Sequence, residues 1–355
     1  MARALRLAEQ GLFSTSPNPR VGCVLVKDGR VIGEGWHEKA GEPHAEIHAL
    51  RMARENGAEV EGATAYVTLE PCSHHGRTPP CADALVAARP ARVVAAMQDP
   101  NPLVAGKGLA RLASAGVETA CGLLENEARE LNIGFVSRMT RGRPWVRLKA
   151  AASLDGKTAL NNGKSQWITG PDARQDGHRW RARACAILTG IGTVRDDDPQ
   201  LSVRGVETSR QPLRIVVDSR LELSPEARLL DGSPVLVATT VDDQDRLGAL
   251  QARGAEIIVL PKAGGKVDLL ALLQELGRRG LNELHVEAGY RLNGSLLREG
   301  LVDELLLYLA PCLLGDEARD LFGLPELHDL KAKHLLTVRD MRLLGSDIRL
   351  LARLP

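Results

Sequence analysis

A chain of 355 residues is longer than one hydrophobic core usually grows, so two domains are expected. Lys plus Arg (46) almost balances Asp plus Glu (45), which argues against general attraction to nucleic acid or anionic membrane. Aromatic residues, at 3%, are too few for extended stacking of bases. The start lacks the apolar core of a signal peptide, and "LLLYLAPCLL" (305–314) is too short to span a bilayer. Six scattered cysteines suit a reducing compartment, so we expect a cytoplasmic protein.

Helical and strand patterns alternate over the first 140 residues. In chain order they predict a helix at "ARALRLAEQG", a hairpin of "VGCVLVK" and "RVIGEGWH" turning at "DG", a helix at "HAEIHALRMAREN", a strand at "ATAYVTL", a helix at "CADALVAA", a strand at "ARVVAAM", a helix at "GLARLASAG", a strand at "VETACG" and one helix at "LENEARELNIGFVSRM". This order predicts a sheet covered by helices.

A basic stretch containing Gly and Pro, at 141–145, has no helical apolar spacing, so we expect a linker between domains at 1–140 and 146–355. Beyond it the alternation resumes. Strands are predicted at "WVRLKAAAS", "CAILT", "RIVVDS", "VLVATT", "EIIVL", "ELHVEAG", "DELLLYLAPCLL", "HLLTVRDMRLL" and "DIRLLARL", with a helix at 267–279 among those between them. The second half is therefore also α/β.

A candidate metal site stands in the first half, in "GEPHAEIHAL" (41–50) and "EPCSHHGRTPPC" (70–81). His44, Cys72 and Cys81 supply the nitrogen and sulfur ligands that zinc prefers, and a catalytic zinc with three protein ligands leaves a place for water. Glu46, two residues after the histidine, is placed to accept that water's proton. The zinc deaminases of nucleobases combine H-x-E with P-C…C in this manner, and their glutamate is not a ligand.

Two simpler interpretations remain open. The histidine and cysteines could be ordinary core residues, or a closed structural zinc could take His74 or His75 as a fourth ligand. A structural zinc has no need of Glu46, so the sequence favours the catalytic site.

The spacing of the two cysteines, together with "PNPRVGCVLV" (17–26) and "DPNPLVAGKG" (99–108), resembles the bifunctional riboflavin-biosynthesis deaminase–reductase family. In the second half, "LKAAASLDGKTA", "SQWITGP", "ILTGIGTVRDDDPQLSVR" and "VEAG" resemble its reductase domain. The resemblance covers nearly the whole chain. It implies a cytidine-deaminase-like α/β/α sandwich followed by a dihydrofolate-reductase-like α/β domain.

The resemblance implies two activities on one phosphorylated pyrimidine. A zinc-dependent step deaminates 2,5-diamino-6-(5-phosphoribosylamino)pyrimidin-4(3H)-one, and an NADPH-dependent step then reduces the ribosyl group to give 5-amino-6-(5-phosphoribitylamino)uracil. The implied deaminase substrate contacts are Asn18, His74, Arg77, Asp99 and Asn101. Such polar residues, on loops that follow strands, are well placed to contact a small ligand. His37 is a further candidate, and His48 is interpreted as helix surface.

The reductase residues are also implied by the resemblance. The cofactor set is Ala151, Trp167, Thr193, Asp197, Ser219, Gly289, Tyr290, Arg291, Leu292, Asn293, Gly294 and Ser295, and the substrate set is Lys149, Ser165, Arg181, Leu201, Arg204 and Glu287. The planar forks of Arg181 and Arg204 suit a phosphate. Arg220 is a candidate for the 2′-phosphate of NADPH. The turn "TGIGTV" (189–194) lacks the third glycine of a dinucleotide fingerprint, so a Rossmann fold is rejected.

Two rival functions share the metal motif. A deaminase of tRNA or nucleobases with an unrelated second domain should carry a basic groove, and a net charge of +1 argues against it. A zinc-stabilised binding module that has lost catalysis would have no need of Glu46. We expect a small-molecule substrate, Zn²⁺ and NADPH as cofactors, no nucleic-acid or membrane partner, and a homo-oligomer (a dimer or tetramer) whose exact state the sequence leaves undetermined.

Overall fold

The computed structural model of the chain describes residues 1–73, 80–102 and 104–355. The chain divides into two compact units, Met1–Gly142 and Arg143–Pro355. In the described ranges, no helix combines the length and the apolar character that crossing a membrane requires.

The N-terminal unit is built on one five-stranded sheet. Its elements are α1 (Ala2–Glu9), β1 (Gly22–Lys27), β2 (Arg30–Trp36), α2 (Ala45–Glu55), β3 (Thr64–Val67), α3 (Cys81–Ala88), β4 (Arg92–Ala95), α4 (Lys107–Ser114), β5 (Glu118–Cys121), α5 (Glu125–Leu131) and α6 (Ile133–Arg141). The strand order is β2-β1-β3-β4-β5; β1 is antiparallel to β2 and β3, and β3, β4 and β5 are parallel. The hairpin predicted at "DG" is confirmed, with positive φ at Asp28 and Gly29.

Different helices cover the two faces of this sheet. Helices α2, α3 and α4 share an apolar cluster with Cys23 and Leu25 of β1. Helices α1, α5 and α6 pack into a second cluster around Met97. The predicted α/β/α sandwich is confirmed by this layering.

Helix α2 lies unusually close to the sheet. A Cβ on Gly33 would lie 2.3 Å from the carbonyl oxygen of Ala49, and one on Gly35 would lie 2.4 Å from the Cβ of His48. Because neither glycine has a positive φ, the proximity of the helix, and not the backbone conformation, excludes a side chain here. This contact fixes the start of α2, where His44 and Glu46 lie.

The prediction of a single helix at "LENEARELNIGFVSRM" is wrong, because the structure contains two helices that meet at Asn132. The Asn132 side chain accepts a hydrogen bond from the Arg20 backbone N–H at 2.8 Å and donates one to the Arg20 carbonyl at 2.9 Å. An asparagine side chain that bonds to another segment's backbone competes with helix continuation.

The C-terminal unit is larger and contains a nine-stranded sheet. Its elements are β6 (Trp145–Ser153), β7 (Lys157–Ala159), α7 (Pro171–Arg183), β8 (Ala186–Gly190), α8 (Ile191–Asp197), β9 (Leu213–Val217), β10 (Val235–Thr239), α9 (Gln244–Gln251), β11 (Ala255–Val259), β12 (Lys262–Ala263), β13 (Lys266–Val267), α10 (Leu269–Arg278), β14 (Glu283–Val286), α11 (Tyr290–Arg298), β15 (Glu304–Ala310), β16 (Arg319–Asp320), β17 (Thr337–Leu344) and β18 (Asp347–Arg353).

The order of the large sheet is β11-β10-β9-β8-β14-β6-β15-β18-β17. Strands β11 to β15 in this order are parallel, and β18 and β17 add an antiparallel edge. Buried aliphatic side chains of the central strands pack against α10 and α11. Such apolar strands are typical of a parallel sheet that is covered on its faces.

Two elements end or begin at a different residue from the one predicted, and in each case a single residue at the boundary explains the difference. The strand at 304–310 ends before Pro311, which has no N–H for a ladder. The helix predicted at 267–279 begins at Leu269, because the Asp268 side chain accepts a hydrogen bond from Ala271 N–H at 2.9 Å. The connection between α6 and β6 is residues 142–144, shorter than the linker expected at 141–145.

Candidate active sites

The predicted metal ligands come together in the N-terminal unit. The ligand atoms of His44, Cys72 and Cys81 all lie within 4.8 Å of one another. His44 Nδ1 lies 3.2 Å from Cys81 Sγ and 3.6 Å from Cys72 Sγ. Ligands about 2.0–2.3 Å from a tetrahedral zinc are separated by about 3.5 Å, so the trio has the spacing of a zinc site.

Local structure explains this convergence. His44 is the N-cap of α2, Cys81 is the first residue of α3, and Cys72 follows the end of β3. The backbone N–H of Cys81 also donates to Cys72 Sγ at 3.3 Å. Hydrogen bonds from Cys81 and from His44 lower the pKa of the Cys72 thiol, which favours the thiolate that a metal requires.

Glu46 lies beside the trio and is 3% exposed. Its Oε2 atom has no hydrogen-bond partner among the described residues. Burial raises the pKa of Glu46 to about 7, against the opposing charge of His44. A carboxylate with a pKa near neutrality can both accept and donate a proton, as general acid–base catalysis requires.

A cavity of about 510 Å³ opens beside the metal ligands. Its wall includes Asn18, His44, Glu46, Cys72, Asp99 and Asn101. The structure therefore brings three of the five predicted deaminase contacts to one cavity with the metal trio. The other two, His74 and Arg77, lie outside the described residues.

His37, the further candidate, is buried and lines the same cavity. Its Nδ1 lies 3.1 Å from the Pro43 carbonyl, and its Nε2 lies 3.0 Å from Asn18 Nδ2. An Nδ1–H that donates to the carbonyl leaves Nε2 to accept from Asn18, which fixes the Asn18 amide at the cavity wall. His48 is half-buried and packs against Gly35, so its interpretation as helix surface is wrong.

Three cavities that share lining residues occupy the C-terminal unit. One of about 580 Å³ contains most of the predicted substrate residues, namely Lys149, Arg181, Leu201, Arg204 and Glu287. One of about 710 Å³ contains Thr193, Ser219, Gly289, Tyr290, Arg291, Leu292 and Ser295 of the predicted cofactor set. The third, of about 310 Å³, contains Ala151, Ser165, Trp167 and Asp197 together with residues of both sets.

Glu287 is the centre of a buried charge cluster. Arg181 donates to both of its carboxylate oxygens, at 2.5 and 2.9 Å, and Lys149 Nζ lies 3.7 Å away. Although burial opposes it, the charges of Arg181 and Lys149 hold the pKa of Glu287 well below its usual range. Because the third nitrogen of Arg181 donates to the Ser202 carbonyl, its fork is bonded within the protein.

Arg204 differs from Arg181 in its surroundings. Its side chain is exposed, and its Nη1 donates to Ser202 Oγ at 3.0 Å. No carboxylate of the described residues forms a salt bridge with it, so its guanidinium remains able to bind an anion. The sequence did not single out His178, which lines the same cavity and accepts the Arg204 backbone N–H at Nδ1. Burial and then the charges of Arg181 and Arg204 lower the pKa of His178 to about 4.

Two residues of the predicted cofactor set have structural contacts on the inner side of α11. Asn293 is buried, and its Nδ2 donates to the Ala288 carbonyl at 2.9 Å. A Cβ on Gly294 would lie 2.3 Å from the Gly323 carbonyl oxygen. On a helix, only one side of the run 289–295 can present side chains to a ligand, and Asn293 and Gly294 lie on the other side.

The remaining predicted contacts have partners of their own. Ser165, from the substrate set, hydrogen-bonds to Asp197, from the cofactor set. Arg220 lies in the wall of the 710 Å³ cavity, and its Nε lies 2.8 Å from Glu222 Oε1. Lys266, which the sequence did not single out, lines the same cavity.

Comparison with known proteins connects both units to one family. Residues 1–97 match the cytidine and deoxycytidylate deaminase zinc-binding region, and residues 144–348 match the RibD C-terminal domain. The chain is 50% identical to riboflavin biosynthesis protein RibD of Escherichia coli (strain K12), over 98% of this chain and 96% of the relative. The chain belongs to the RibD family. RibD of Haemophilus influenzae is 49% identical over 99% of the chain and 95% of the relative.

Solved RibD structures have the same fold over the full length. RibD of Acinetobacter baumannii superposes with a TM-score of 0.92 at 45% identity, covering 100% of this chain and 97% of that one. A diaminohydroxyphosphoribosylaminopyrimidine deaminase/5-amino-6-(5-phosphoribosylamino)uracil reductase of Thermotoga maritima superposes with a TM-score of 0.89 at 34% identity, with the same coverage. Membership of the RibD family agrees with the fold class, the two enzyme activities and the cofactors Zn²⁺ and NADPH predicted from the sequence.

The metal trio leads to a prediction about zinc content. The purified protein is expected to contain about one zinc per chain, and Cys81→Ala should lose most of it because two ligands cannot complete the site. Elemental analysis measures the metal. Cys121→Ala, which removes an exposed cysteine from the same unit, is the matched control and should retain zinc. Full retention of zinc in Cys81→Ala would contradict the ligand assignment.

Proposed function

We propose that this chain performs two successive steps of riboflavin biosynthesis. The N-terminal unit deaminates 2,5-diamino-6-(5-phosphoribosylamino)pyrimidin-4(3H)-one, and the C-terminal unit reduces the ribosyl group of the product with NADPH. The observation that carries this proposal is the buried Glu46 beside a metal trio, in a chain whose second unit matches the RibD C-terminal domain. The Thermotoga maritima relative bears both activities in its name.

In the deaminase cavity, the residues divide between metal binding, proton transfer and substrate contact. His44, Cys72 and Cys81 would hold zinc, and the metal would supply the activation of a water molecule for attack on the ring carbon that carries the amine. Glu46 accepts a proton from that water and delivers one to the departing amine, so that ammonia leaves and a carbonyl remains. Asn18, Asp99 and Asn101 contact the substrate, and we retain His74 and Arg77 from the sequence as further contacts.

In the C-terminal unit, NADPH would bind along the 710 Å³ cavity, which contains seven of the predicted cofactor residues, and the substrate would bind in the 580 Å³ cavity, which contains five of the predicted substrate residues. NADPH supplies the hydride. The cofactor would be held by backbone amides at the start of α8 and α11 and by the side chains of Ser219 and Arg291. Where the cofactor and substrate cavities meet, the lining residues of the predicted cofactor set are Ala151, Trp167, Thr193 and Asp197. Arg204 binds the substrate phosphate, whereas Arg181 orients Glu287, and Lys149 and Glu287 contact the ribosyl group. Ser165 and Leu201 complete the substrate wall.

The alternative of a tRNA or nucleobase deaminase is not favoured, because its second domain would be unrelated. Here residues 144–348 match the RibD C-terminal domain, and the full-length relatives are RibD proteins. Six cysteines without disulfides are compatible with the cytoplasmic location that we propose.

We also propose that the chain forms a homo-oligomer through β17. This edge strand is eight residues long and exposes Val338, Met341 and Leu343, which are 57%, 69% and 71% accessible. A long edge strand that exposes apolar side chains readily pairs with another strand. A second copy offers the same edge, and a two-fold axis would pair the two edges in a closed dimer.

Replacement of Glu46 separates the metal ligands from the proton shuttle. Glu46→Gln should retain zinc and lower the rate of ammonia release by about 100-fold or more, because an amide cannot accept the proton. Oxidation of NADPH with deaminated substrate should be unchanged, which provides the internal control. Normal deamination by this variant would mean that another group is the general base.

Replacement of Arg204 tests the phosphate assignment. Arg204→Ala should weaken substrate binding by about 10- to 150-fold, the effect of losing a charge-assisted contact, and should leave NADPH binding nearly unchanged. Both constants are measured by titration, and the substrate titration is repeated with the dephosphorylated nucleoside. Arg179→Ala, from the exposed face of α7, is the matched control. A variant that loses NADPH and still prefers the phosphate would assign Arg204 to the cofactor.

Replacement of the exposed side chains on β17 tests the assembly. The double variant Met341→Lys, Leu343→Lys should have a smaller mass than the native chain in size-exclusion chromatography with light scattering, because buried charges oppose strand pairing. Val259→Lys, on the opposite edge strand β11, should leave the mass unchanged. If the native chain is monomeric, or if the double variant keeps the native mass, the proposal is wrong.

A further inference from the structure

Glu70 is a buried carboxylate for which the proposed chemistry has no task. It lies between β3 and the metal ligand Cys72, and it is 3% exposed. Among the described residues, its side chain accepts four hydrogen bonds, all from backbone N–H groups. Oε2 accepts from Asp99 at 3.2 Å and from Gly106 at 2.8 Å, and Oε1 accepts from Gly108 at 2.8 Å and from Leu109 at 3.2 Å.

The four donors lie in the segment that follows β4: one is Asp99, and the other three are at the start of α4. Gly106 is the N-cap of α4, and Gly108 and Leu109 lie in its first turn. First-turn N–H groups have no partner within their own helix, so Glu70 supplies the missing acceptor from another part of the chain. The negative charge is also favourable at a helix N-terminus.

Close approach of the two segments depends on glycine. A Cβ on Gly108 would lie 1.9 Å from the carbonyl oxygen of Pro71, the residue between Glu70 and Cys72. Gly106 has a φ of +78°, which favours glycine. The motif "AGKG" therefore lets the start of α4 rest against the segment that carries a metal ligand.

The fourth donor extends this connection to the substrate cavity. Asp99 donates its backbone N–H to Glu70, and its Oδ1 accepts the Asn101 backbone N–H at 2.8 Å. Both residues line the cavity beside the metal trio. Glu70 thus holds, through one side chain, the start of α4 and the two substrate-contact residues at a fixed distance from Cys72.

We propose that Glu70 is a positioning residue for deamination, which sets Asp99 and Asn101 relative to the metal site. The inference rests on the proposed deaminase function for its catalytic consequence, although not for its structural one. Only a carboxylate fits this role, because both oxygens must accept. In glutamine, one of the two positions would be an NH₂ group facing N–H donors.

The first measurement uses the native chain and needs no variant. Amide hydrogen exchange followed by NMR should show that Gly106, Gly108 and Leu109 are protected at the start of α4, where helix amides otherwise lack an acceptor. Exchange of Gly108 and Leu109 at the rate of unprotected amides would overturn the proposal, whether or not the chain deaminates the pyrimidine.

The second measurement uses Glu70→Gln, with Glu61→Gln as the same change at an exposed position of the same unit. In Glu70→Gln, exchange at 99, 106, 108 and 109 should accelerate by about 10-fold or more, while that of α2 stays unchanged. Zinc content should be retained, and KM for the deaminase substrate should rise by about 10-fold or more, with a smaller change in kcat. Glu70→Asp keeps both acceptor oxygens, so its KM should lie between that of the native chain and that of Glu70→Gln.

Two outcomes of that experiment would overturn the inference. Equal acceleration of exchange in α2 and α4 would indicate general destabilisation, and an unchanged KM alongside accelerated exchange would separate Glu70 from the substrate contacts. A native chain without deaminase activity would instead contradict the proposed function and leave the exchange result to stand. Glu61→Gln should match the native chain in each measurement.

Discussion

The ligand atoms of His44, Cys72 and Cys81 lie within 4.8 Å of one another although the residues are 28 and 37 positions apart in the chain. Two thiols and an imidazole at this distance, half-buried or buried, need either shared protons or a cation to satisfy them. The start of α2, the start of α3 and the end of β3 must all meet at this point. The layering of helices on the five-stranded sheet brings these element ends together beside the cavity that contains Glu46.

The C-terminal unit meets a comparable demand by pairing buried charges. Arg147 is fully buried in the large sheet, and Glu283 and Glu304 lie 3.1 and 2.6 Å from its guanidinium nitrogens. Burying a charge is costly unless it is paired and hydrogen-bonded, and this cluster satisfies that condition inside the sheet. The pair of Arg181 and Glu287 repeats the arrangement at the cavity wall, where the carboxylate stays ionised and fixed in direction.

The sequence predicted those features that depend on local pattern or on ligand chemistry. Alternation of apolar residues located the main strands, and the preference of zinc for nitrogen and sulfur selected His44, Cys72 and Cys81. Features that depend on distant partners were missed. Nothing near Asn132 indicates that Arg20 will bond to it and interrupt a helix, and nothing near Arg181 indicates that Glu287 will occupy its fork. Glu70 is the first residue of the motif "EPCSHHGRTPPC", but its four backbone donors lie 29 to 39 residues further along the chain.

The contact of α2 with Gly33 and Gly35 has a consequence for how substitutions in this chain would be interpreted. Both positions have backbone conformations that any amino acid can adopt, so a substitution there looks harmless on dihedral angles alone. A side chain at either position would instead displace helix α2. Because His44 is the N-cap of that helix, the displacement would also move a metal ligand. A loss of metal affinity can therefore originate on a strand that contributes no ligand, and a survey limited to the coordinating residues would overlook its cause.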